Sequence, residues 1–158
     1  MTYCYDLSGK LSQGDIFRRV RVIKNIVGNK DNAPEYKDSA IIVITRNCEI
    51  DRSLTEANSV LIARVRELVS QSSPRFRDLI REGSVLNTFY LPAGEGSSKE
   101  SYIDWRSLQP FSKSHLYELR NRSESYRCTL TGDLLKSCLG GLLIFLTKSE
   151  NEEDERAE

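Results

Sequence analysis

Arg46-Asn47-Cys48-Glu49-Ile50-Asp51-Arg52 gathers two arginines, two acids and a thiol directly behind an apolar run. Arg46 is placed to hold a phosphate, and Glu49 to act as general base on a ribose hydroxyl, the pairing that acid–base cleavage of RNA requires. A turn accounts for the same letters, with Asn47 and Asp51 shaping it, Cys48 pointing inward and the charges pairing in water. Cys48 and the single histidine, His115, would make a nucleophile and base if folding joined them. No motif surrounds either, and His115 beside Ser114 and Leu116 reads as a surface or helix-cap residue.

Cations form the second group. Arg18, Arg19, Arg21 and Lys24 lie on one alternating segment, Arg64 and Arg66 on another, and Lys37 near the loop between. On a sheet they would give a basic face for a phosphate backbone, with Tyr or Phe rings for base stacking. A solvated sheet face is the other reading. The formal charge of zero conceals an asymmetry: residues 149–158 hold six acids and one arginine, a net of −5, which leaves +5 on the body. That tail reads as a solvated, disordered extension, or as a polyanion mimic folded over a basic groove.

Other chemistries lack their residues. The four cysteines are far apart with no C-x-x-C pair, against a zinc site and, with no export signal, for free, mostly buried thiols in a reducing cytoplasm. No glycine-rich phosphate loop or nucleotide fingerprint occurs, so no cofactor is expected. The longest apolar run, Leu139 to Leu146, is too short to cross a bilayer of about 30 Å, so no membrane association is expected.

The elements that must carry these residues read as one domain over 1–148. Leu11 to Val27 alternates as a half-buried strand, and 28–38 has turn chemistry. Ala40-Ile41-Ile42-Val43-Ile44 is a β-branched run suited to burial on both faces, pairing with Ser59 to Val65 as a hairpin. Ser73-Pro74 predicts a helix start over 75–82, closed by Gly83. Phe89 to Pro92 and Ser101 to Leu108 predict a second hairpin across a Gly/Ser loop. Leu130 to Leu146 predicts a helix weakened by Gly140-Gly141, which close packing on the sheet would explain.

This order, with Gly14-Asp15-Ile16, Ala40 to Ile44, Asn58 to Ala63, Tyr102-Ile103-Asp104-Trp105-Arg106-Ser107-Leu108 and the last helix, resembles the MazF/PemK family of growth-inhibiting toxins over most of residues 11–147. The resemblance implies an α+β chain built on a small SH3-like β-barrel, with 66–87 and Arg120 to Arg127 as insertions. It implies metal-free cleavage of single-stranded RNA and symmetric dimers. It places Ser59 at the family's catalytic serine or threonine, while Ser39 stands where the family has an arginine. A neutral hydroxyl there removes the field that steadies a phosphate charge. The implied function is a toxin-fold regulatory or interaction module of a prokaryotic stress, toxin–antitoxin or defence system. It would bind an antitoxin-like or regulatory protein partner, or single-stranded RNA, with little catalysis. A metal-independent endoribonuclease using Ser59, Arg46 and Glu49 is the alternative.

Overall fold

Ile41, Ile42 and Val43 are fully buried because their strand, β3 (Tyr36–Val43), lies at the centre of a seven-stranded antiparallel sheet. A computed structural model describes residues 3–24, 34–94 and 97–155, with side chains through Lys148. The other strands are β1 (Tyr3–Cys4), β2 (Asp15–Ile23), β4 (Ser59–Glu67), β5 (Thr88–Leu91), β6 (Ser101–Ser112) and β7 (Tyr126–Leu130). The helices are α1 (Asn47–Ile50), α2 (Pro74–Arg81), α3 (Lys113–Arg120) and α4 (Gly132–Glu155). The sheet order is β1-β7-β2-β3-β4-β6-β5. The chain is therefore α+β, and both expected hairpin pairings, β3 with β4 and β5 with β6, are present.

Strand alternation sends successive residues of β3 into two cores. Ile42 joins Ala63, Val65, Ile103, Trp105 and Cys128 under α4, while Ile41 and Val43 join Phe17, Val20, Ile62 and Leu116 of α3. The sheet curls into a half-barrel. β2 and β6 have two strands, β3 and β4, between them in the order, yet the Gln109 side chain bridges them. Its Oε1 accepts from Ile23 N at 3.0 Å and its Nε2 donates to Ile23 O at 3.2 Å. At the opposite margin, Tyr3 Oη donates to Pro92 O at 2.6 Å, joining β1 to the end of β5.

Gly14-Asp15 fixes the entry of β2. Gly14 has φ +89°, and a Cβ there would sit 2.8 Å from Leu130 O. Asp15 is fully buried and bound to the α3 side chain Arg120 at 3.2 Å. Arg120 also reaches Asp6 at 3.1 Å and lies 3.7 Å above the Tyr126 ring. One buried ion network thus ties β2, β7, α3 and the N-terminal segment together.

α2 starts as its sequence dictates, Ser73 Oγ accepting from Phe76 N at 3.3 Å ahead of Pro74. It is held to the residue preceding β6 by Arg81, whose Nε and Nη2 each lie 2.9 Å from Glu100, and Tyr90 Oη donates to the same carboxylate at 2.5 Å. The Arg81 and Tyr90 hydrogen bonds push the Glu100 pKa down to about 2. A depressed folded value means the stabilisation is complete above the ordinary 4.5 and lost as pH falls toward 2. Thermal melts of Glu100→Gln should therefore converge on wild type across that window.

α4 covers one core with Cys138 and Leu142. Close packing holds at Gly141, where a Cβ would lie 3.1 Å from Phe89, but not at Gly140, which faces open space. Gly140→Ala should stabilise the helix by about 1 kcal/mol, whereas the Phe89 contact offsets the same gain at Gly141. Chemical denaturation of the two variants reads the difference. α4 backbone continues to Glu155, into the acidic stretch expected as a disordered tail. The stretch Arg120 to Arg127, expected as an insertion, ends α3 and begins β7. No helix among the described residues is long and apolar enough to cross a membrane.

Candidate anion-binding cleft

β2 contains a bulge. Its register against β3 slips between Phe17 and Val20, and Arg19 takes φ +41°, the left-handed region that non-glycine residues avoid. Consecutive strand residues normally point to opposite faces. The bulge instead lets Arg18 and Arg19 both line one open cleft of about 650 Å³. Lys99 and Arg127 join them, with Ser97, Ser98 and Ser101, against two acids, Asp38 and Glu67; Ser39 borders the cleft with its side chain turned to the opposite face, toward Arg64.

Among the described residues, four cations against two acids leave the cleft lining at +2. Lys99 engages Glu67 at 3.0 Å, and Arg127 hydrogen bonds to Ser97 Oγ. Arg18 and Arg19 are exposed, and neither side chain makes a hydrogen bond or ion pair among the described residues. Free guanidinium forks beside hydroxyl groups suit phosphate oxygens. Holding Arg19 in the left-handed region costs about 1–3 kcal/mol, a strain typical of functional sites.

The remaining predicted binding residues are dispersed. Arg21 lies over the Tyr36 ring at 5.8 Å, and Lys24 pairs with Glu35 at 3.2 Å. Lys37 is exposed on β3. Alternation places Lys37, Ser39, Arg64 and Arg66 on one face of the sheet and Arg21, Asp38, Ala40 and Val65 on the other, so a single basic face does not form. At Ser39, where the resemblance implies an arginine, the Oγ accepts from Arg64 Nε at 3.4 Å.

The three predicted catalytic residues lie elsewhere. Ser59 is exposed at the start of β4, and Arg46 is exposed before α1. Bonds from Ile44 N to Leu61 O at 2.9 Å and from Leu61 N to Thr45 Oγ1 at 2.7 Å bring these two segments together. Glu49 is occupied by Arg52 at 3.4 Å. The segment is a single helical turn, and Cys48 is exposed, not turned inward. Ser59 stands six residues along β4 from Val65 in the cleft wall, roughly 20 Å at about 3.3 Å per residue. The structure therefore brings Arg18 and Arg19 together but separates them from Ser59, Arg46 and Glu49.

All four thiols are free. Burial pushes Cys128 up to about 11 and Cys138 to about 12. His115 is half exposed and sits 3.6 Å from Glu118. Lys99, Ser97 and Arg127 were invisible as site residues because 97–99 and 127 are remote in sequence from β2. The alternation of Tyr126, Cys128 and Leu130 around Arg127 is the signal that marks β7.

Fold and site together define a curled antiparallel α+β domain with a basic, hydroxyl-lined cleft at one end of its sheet. No family model matches the chain, and no curated protein matches it significantly.

Proposed function

We propose that this chain is an interaction module that holds single-stranded RNA by its phosphate backbone in the Arg18–Arg19 cleft, with little cleavage. The observation that carries this reading is the bulge, which turns two arginines, unpaired among the described residues, into one cavity at the cost of backbone strain. The distance from the cleft to Ser59, Arg46 and Glu49 supports binding over catalysis. The order of strands and helices supports an SH3-like barrel of the MazF/PemK kind, and with it a role in a prokaryotic stress, toxin–antitoxin or defence system. The resemblance also implies a dimer. The outward face of α4, with Leu143 and Ile144 exposed beside Gly140, offers a surface for a second copy.

The ribonuclease reading has one observation in its favour, the shared end of β3 and β4 that carries both Arg46 and Ser59. Incubation with a mixed single-stranded RNA pool in chelator, reading fragments and binding together, decides among these. Retention of intact RNA supports the module. Fragments that vanish in Ser59→Ala or Arg46→Ala replace it with the endoribonuclease. Absence of binding removes RNA as the partner and leaves an antitoxin-like or regulatory protein.

A further inference from the structure

The sheet face turned away from the cleft carries a cation without a counter-charge. Arg64 is 8% exposed. Its Nε donates to Ser39 Oγ at 3.4 Å, and no carboxylate among the described residues comes within ion-pair range. Asp104, opposite it in register, is engaged by Arg106 at 3.2 Å and Arg66 at 3.8 Å. The Arg64 Nη atoms donate to no group among the described residues. Trp105 Nε1, on the other face, is the one fully buried side-chain polar atom without a partner among the described residues, so the Arg64 Nη atoms are not fully sealed from solvent.

Ser39 explains the orientation. Its hydroxyl donates to Ala40 O at 3.0 Å while accepting from Arg64 Nε, so it holds the guanidinium through Nε and leaves both Nη atoms without a partner among the described residues. Burial, and then Arg66, make the charge on Arg64 less favourable than that of an ordinary arginine, with Asp104 opposing. An arriving anion relieves both penalties. Arg64, Arg66 and Arg106 against Asp104 leave +2, which matches a phosphoryl dianion better than a single carboxylate.

We infer that Arg64, oriented by Ser39 and flanked by Arg66, is a binding site for one phosphoryl group, separate from the Arg18–Arg19 cleft. The site stands whether or not the cleft binds RNA. The probe is inorganic phosphate, titrated at constant ionic strength against thermal stability, since a ligand of the folded state raises the melting temperature by mass action. Wild type and the Arg18→Ala/Arg19→Ala variant should show the same rise. Arg64→Gln should lose most of it, and Ser39→Ala should need several-fold more phosphate.

A rise unchanged in Arg64→Gln, or one abolished only in Arg18→Ala/Arg19→Ala, overturns the assignment. If Arg64→Gln fails to fold, ¹⁵N-arginine spectra of the wild-type protein decide. The Arg64 Nε–H signal, located through Ser39→Ala, must shift with phosphate, and a stationary signal overturns the site. Adding an RNA oligonucleotide to the same sample separates the sources. Displacement of phosphate from Arg64 identifies a nucleic-acid backbone, and its persistence identifies a small phosphorylated compound.

Discussion

Asp15→Ala is expected to cost about 3–5 kcal/mol or to prevent folding, because it strands a buried charge instead of removing a pair. Asp15 Oδ2 accepts from Ser12 N at 2.8 Å and Arg120 Nε at 3.2 Å, and Oδ1 accepts from Thr129 Oγ1 at 2.5 Å. Without the carboxylate, the Arg120 side chain, 3% exposed, keeps only Asp6 as a counter-charge among the described residues. Combining Asp15→Leu with Arg120→Met should cost less than the two single changes added together, since it removes both charges at once. Equilibrium denaturation of all three variants measures that coupling. Additive losses would mean that the network contributes only packing.

Burial raises the Asp15 pKa despite the opposing bonds from Thr129, Ser12 and Arg120. A carboxylate with a raised folded value opposes folding above that value, and the penalty fades as pH falls through it and is gone below the ordinary 3.8. Asp15 therefore does not drive acid unfolding. Glu100 and Asp6, whose values are depressed, act in the opposite sense.

The second large effect concerns the bulge. Replacing Arg18 and Arg19 together by alanine should weaken single-stranded RNA binding by tenfold or more at low salt. The slope of log affinity against log salt should become shallower by about 0.7 for each phosphate that the protein ceases to neutralise. Arg19→Gly divides the effect in two. Glycine accepts φ +41° without strain, so the protein should gain about 1 kcal/mol while RNA binding weakens. Loss of both stability and binding would show that Arg19 contributes packing to the bulge, and would remove strain as a sign of function. Parallel titration and denaturation of this one variant give both answers.

Those effects mark where sequence was informative. The run Ala40 to Ile44 could only be buried on both faces, and Ser73-Pro74 could only begin a helix, since cap and proline act locally. α3 escaped because its eight residues offer few periodic apolar positions, chiefly Leu116 and Leu119. β7 escaped because its five residues, Tyr126 to Leu130, follow a charged stretch with no turn signal strong enough to set it apart. The cleft was half legible. Arg18 and Arg19 were identified as binding candidates, but two adjacent arginines on a regular strand diverge, and no residue type announces the bulge that reunites them. The apparent basic face dissolved for the same reason, because alternation within one strand does not fix which face it shares with another.

The bridge from Gln109 to both the N–H and the carbonyl of Ile23 has a consequence for how a ligand is met. It holds the far end of β2, while Arg18 N donates to Ser125 O at 2.7 Å on the near side of the bulge. The arginine-bearing segment is thus moored at both ends before any ligand arrives. Much of the backbone entropy that an incoming anion would otherwise have to remove is already spent in folding. Recognition then proceeds by near-rigid docking, and loosening the bridge with Gln109→Ala would appear as slower capture with the contacts themselves intact.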